Sequence, residues 1–92
     1  MHKDFQGILI PEEIWELQDL SIQDRVILSG IKYLSSLEAD GNCCESNESI
    51  SKFFSLSTRV IQRSLSKLKK LGYIEQISFD GRTRSLKYKE VR

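Results

Sequence analysis

Arg59, Arg63, Ser66 and Lys70 are separated by four, three and four residues, and Gln62 stands beside Arg63. On a helix those spacings bring the side chains to one face. The chemistry they offer is recognition. An arginine forks onto guanine O6 and N7, and a glutamine pairs bidentately with adenine. Lys67, Lys69 and Lys70 suit phosphates, which position a protein without reading sequence. Ser57 and Thr58 open the segment, where hydroxyls and the free N–H groups of a helix start attract anions. No Asp or Glu occurs between Glu48 and Glu75. A face built for solubility alone would mix signs.

Further candidates flank this segment. Asn47 precedes it and is expected either to touch a phosphate or simply to cap a helix. Arg82 and Arg84 lie at or just past the turn of an expected hairpin. Arginines on a projecting ribbon can enter the minor groove, whose negative potential draws them in. The expected partner is therefore double-stranded DNA.

The inventory for reaction chemistry is thin. The sequence has no glycine-rich phosphate loop, and its one histidine, His2, is near the N-terminus. Cys43 and Cys44 are adjacent, which disfavours a relaxed disulfide, and two sulfurs alone do not make a zinc site. We expect no enzyme activity, cofactor, metal or small-molecule substrate, and reduced thiols with at least one in the core.

The positioning elements follow from apolar spacing and caps. Pro11-Glu12-Glu13 reads as a first helical turn, followed by Ile14, Trp15 and Leu17. Ser21 and Asp24 form an N-cap pair for a helix from Ile22 to about Leu37. Ile27, Ile31 and Leu34 make its core stripe, widened by Val26, Tyr33 and Leu37. Gly30 sits beside that stripe for a close helix contact, and Arg25, Ser29, Lys32 and Ser36 are expected to face water. Ser46-Asn47 caps a helix over Glu48–Phe54, with Ile50, Phe53 and Phe54 buried. After Ser55-Leu56-Ser57, a second helix spans Thr58–Leu71, with Ile61, Leu65, Leu68 and Leu71 inward and Gly72 closing it. Tyr73–Phe79 and Arg84–Lys89 are strands around an Asp80-Gly81 turn. Two helices across a short turn, followed by a hairpin, define an α+β winged helix-turn-helix. It has a three-helix core, a short N-terminal helix and a C-terminal β-hairpin wing.

Ninety-two residues suit one domain over 1–92. The net charge of +1 hides a segregation. Residues 1–48 carry three bases against ten acids, a formal −7, and residues 49–92 carry eleven against three, +8. A basic half of this density is the footprint of a polyanion binder, unless the halves neutralise each other in the fold. No apolar run is long enough for a membrane span and the N-terminus lacks a secretory layout, so a soluble, cytoplasmic protein is expected.

The stretch GNCCESNESISKFFSLSTRVIQRSLSKLKKLGYI resembles the winged helix-turn-helix domains at the N-termini of phage and plasmid replication-initiation proteins, and of related transcriptional regulators. The points of likeness are Cys43 before an Asn47-capped helix, Ser57 opening the recognition helix, and Arg63, Leu65, Leu68 and Gly72-Tyr73-Ile74 towards its end. The lead-in FQGILIPEEIWELQDLSIQDRVIL is similar to the family's Ile-Pro-x-Glu-Ile-Trp segment. The resemblance implies sequence-specific binding of double-stranded DNA, at an origin or a promoter. Such replication proteins usually continue into a C-terminal domain. The chain is thus expected to be either one module of a longer protein or a stand-alone binder that dimerises through its acidic half. A second function class is a protein-interaction winged helix, which self-associates or docks an acidic partner without reading DNA sequence.

Overall fold

Three serines start three helices in the structure, a computed structural model that describes residues 10–38, 41–78 and 84–89. Ser21 Oγ accepts from Asp24 N at 3.1 Å, Ser46 Oγ from Ser49 N at 3.1 Å, and Ser57 Oγ from Val60 N at 3.2 Å. Each satisfies a backbone N–H that the first helical turn leaves without an internal partner. The helices are α1 (Glu12–Trp15), α2 (Ile22–Ser36), α3 (Asn47–Phe54) and α4 (Thr58–Leu71). Strands β1 (Ile74–Ser78) and β2 (Arg84–Tyr88) pair antiparallel, with Ile74 opposite Tyr88 and Ser78 opposite Arg84. Cys43 bridges the other edge of β2: its N–H donates to Leu86 O at 2.8 Å, and Leu86 N–H returns to Cys43 O at 2.7 Å. The architecture is an α+β winged helix-turn-helix.

The turn between α3 and α4 sets how the second helix is presented. Ser55 takes the left-handed conformation, φ 58° and ψ 40°. Leu56 N–H then reaches back to Ser51 O at 3.0 Å and Ser55 N–H to Lys52 O at 3.3 Å, closing the last turn of α3. Ser51 Oγ also donates to Leu56 O, so one residue grips the turn twice. At the far end of α4, Gly72 (φ 85°) allows the same closure, with Tyr73 N–H on Leu68 O at 2.9 Å.

α2 is the central element and packs against α1, α4 and β2. Its Ile27, Leu28 and Ile31 are fully buried, together with Ile14, Cys43, Ile50, Ile61, Leu68 and Leu86 from the surrounding elements. Gly30 lets Phe54 approach: a Cβ there would stand 2.8 Å from Phe54 Cε1 and 3.0 Å from Cε2.

Several sequence-based expectations need correction. Ser29 does not face water but is buried, because α2 is covered on more than one side. Leu37 and Leu71 fall at helix ends, beyond the packed middle, and are 48% and 42% exposed rather than inward. Phe53 and Phe54 are only half-buried, packed edge to face against each other with centroids 5.0 Å apart. The cap of α3 is Ser46 alone, and Asn47 is already helical. The expected Asp80-Gly81 turn lies outside the described residues. Among the described residues, no helix is long and apolar enough to cross a membrane.

Candidate nucleic-acid interface

α4 is inward on one side, with Ile61, Leu65 and Leu68 in the core. At about 100° per residue, the opposite side carries Arg59, Arg63, Ser66 and Lys70, with Gln62 on its flank. All five are exposed. Arg59, Gln62, Arg63 and Ser66 line an open depression of about 320 Å³. Among the described residues, no carboxylate pairs with Arg59, Arg63, Lys69 or Lys70. The stripe therefore presents uncompensated positive charge along a helix of 14 residues. Ser57 and Thr58 stand exposed at its N-terminal end, next to the first-turn N–H groups. The Ser57 oxygen is engaged in its cap.

Side contacts tether α4 to its neighbours. On one flank, Asp24 of α2 is only 6% exposed. Its Oδ1 accepts from Ser64 Oγ at 2.8 Å, and its Oδ2 meets Lys67 Nζ at 3.0 Å. Burial alone would raise the Asp24 pKa; hydrogen bonds from Lys67, Ser64 and Ser21 outweigh it and hold the carboxyl below its ordinary value. On the other flank, Lys69 Nζ donates to Gln76 Oε1 of β1 at 3.0 Å. Where the wing begins, Tyr73 Oη donates to both carboxylate oxygens of Asp19 at 3.0 Å. Burial, then the hydrogen bond to Asp19 and the charge on that carboxylate, raises the phenol's pKa, so it stays a donor.

Most sequence-derived candidates thus lie on one helix, and some do not join the stripe. Lys67, expected on phosphate, is instead paired with Asp24, because the buried carboxylate lies within reach of its flank. Lys69 stays exposed and without a carboxylate partner, since its contact is with a neutral amide. Asn47 is half-buried at the start of α3, and its Oδ1 is enclosed without a hydrogen-bond partner among the described residues. Arg84 contributes backbone to β2, but its side chain, like all of Arg82, lies outside what the structure describes.

Sequence reasoning missed the contacts that Asp24 makes with Ser64 and Lys67 of α4. The sequence assigns Asp24 to the N-cap pair with Ser21, yet its carboxylate is also buried against α4. The available signal was Ser64, a polar residue about 60° from Ile61 on the border of the apolar stripe. A hydroxyl there needs a partner from a neighbouring element.

A helix pair across a gripped turn, a basic outer face on the second helix and a hairpin after it together make an arrangement suited to DNA. No curated protein and no solved structure shows significant similarity to the chain. A family model described as a helix-turn-helix domain matches residues 20–74, from the residue before the Ser21 cap to the first residue of β1. That match covers more than half of the sequence, and the chain belongs to the helix-turn-helix domain family.

Proposed function

We propose that this domain binds double-stranded DNA sequence-specifically, with α4 in the major groove and the β1–β2 wing beside it, in replication initiation or transcriptional regulation. The observation that carries this is the exposed, acid-free stripe of Arg59, Gln62, Arg63, Ser66 and Lys70. α4 is about 21 Å long at 1.5 Å per residue, and the major groove is about 12 Å wide. Arg59, Gln62 and Arg63 read base edges, while Lys69 and Lys70 settle on phosphates. Thr58 and the helix start add an anion-attracting end. The domain acts by binding, with no catalytic step.

Fluorescence anisotropy on a labelled duplex across a salt series tests this. Phosphates neutralised by Lys69 and Lys70 alone give a log K against log salt slope of about −2, and each further cation on a phosphate steepens it by about 0.9. A flat line removes the proposal. Selection from random duplexes then reports a motif, and a palindromic motif identifies a dimer.

A second reading is a protein-interaction role. It is favoured by the exposed apolar side chains Trp15, Ile22, Leu37 and Leu71 together with the oppositely charged halves. Light scattering that shows assembly dissolving with salt, with no duplex binding, supports that reading instead.

A further inference from the structure

We propose that Asp24 is a positioning residue for α4 that also withholds Lys67 from the duplex. The inference rests on the DNA-binding function proposed above. Ser64 and Lys67 are three residues apart, on adjacent turns of α4, and the two oxygens of one carboxylate take one each, at 2.8 and 3.0 Å. Two contacts from a single group on α2 fix the rotation of α4 about its own axis. That rotation decides which side chains face the groove. With this flank held, the stripe centred on Arg59, Arg63, Ser66 and Lys70 points outward.

The same contact decides the fate of Lys67. Its side chain is 44% exposed, so water reaches it, yet its charge is matched by a carboxylate only 8% exposed. Moving Lys67 to a phosphate would strand that carboxylate in a buried place. A buried charge without its partner costs more than one exposed phosphate contact returns. The depressed pKa of Asp24 agrees, since the carboxylate stays ionised and keeps its claim on the ammonium. Lys67 is thus a structural cation, and the duplex meets α4 through the cations that have no carboxylate.

The test is the salt dependence of duplex binding by the wild-type chain and by Lys67→Gln, Asp24→Asn and the double variant, with circular dichroism confirming the fold of each. Lys67→Gln alone is expected to leave the wild-type slope unchanged. Asp24→Asn keeps a polar group for Ser64 and frees the ammonium, so its slope steepens by about 0.9, the share of one phosphate contact. Adding Lys67→Gln to it restores the wild-type slope. A slope made shallower by about 0.9 in Lys67→Gln overturns the inference, because Lys67 would then already be on the DNA. That arm decides even if Asp24→Asn fails to fold. A wild-type chain with no salt-dependent duplex binding removes the underlying function instead, and the inference with it.

Discussion

Replacing Gly30 with alanine probes the contact that seats the helix-turn-helix on the central helix. The new Cβ would stand 2.8 Å from Phe54 Cε1 and 3.0 Å from Cε2, with Cζ nearer still. Carbon atoms prefer about 3.5–4.0 Å, so the ring must withdraw by roughly an ångström or more. Phe53 packs edge to face with the Phe54 ring and itself stacks at 6.4 Å on Tyr33, so retreat towards that side would move a neighbour. Overpacking of this kind costs about 1–3 kcal/mol, and the better helix propensity of alanine returns up to about 1 kcal/mol. The net expectation for Gly30→Ala is a loss of about 1–2 kcal/mol, or roughly 5–15 °C in Tm for a domain of this size. Urea denaturation of Gly30→Ala, and of Gly30→Ala with Phe54→Leu, measures it, and the smaller side chain should recover part of the loss. Phe54 ends α3 immediately before the Ser55 turn, so duplex affinity should fall along with stability. A Gly30→Ala chain as stable as the wild type would refute the close-packing argument, because an alanine free of contact should stabilise a helix.

Three further outcomes are expected. Ser57→Ala removes the cap of α4 and should cost about 0.5–2 kcal/mol in urea denaturation, with Ser57→Gly losing less. Asp24 has a lowered pKa in the fold, so its contribution to stability is complete above its unfolded-state value. That contribution drains away as pH falls through the folded value. The urea midpoint of the wild type should therefore fall more steeply than that of Asp24→Asn below about pH 5, and parallel curves would exclude the contribution. Arg63→Ala should cost about 1–3 kcal/mol on a selected site and relax base preference, whereas Lys70→Ala should weaken all duplexes alike; competition binding separates the two.

How far the sequence foretold these features depends on whether the cause is local. The bounds of α4 were legible because a serine cap, an apolar stripe spaced by three and four residues and a terminal glycine sit within one segment. The left-handed Ser55 was not, since a serine in that conformation carries no mark comparable to glycine. The Asp24–Ser64 contact joins residues 40 apart, and only the packing of α2 against α4 brings them together. Ser29 shows a different limit. Helical periodicity sorts residues between one covered and one wet face, but α2 has neighbours on several sides, so its polar side is partly enclosed.

The charge segregation along the chain has two competing physical explanations, and the ion pairs among the described residues bear on both. If the acidic and basic halves existed to neutralise each other, the fold would lace them together. Among the described residues three ion pairs occur. Glu13–Lys32 stays within the first half and Glu75–Lys89 within the second. Asp24–Lys67 crosses, and it consumes a cation on the flank of α4 rather than on its outer stripe. Arg59, Arg63 and Lys70 keep their charge towards solvent. At physiological salt a field decays over about 8 Å, so a stripe must come close to its target to be felt. A basic helix held by its flanks and left open along its outer face meets that condition for a polyanion lying against it, and mutual neutralisation does not account for it.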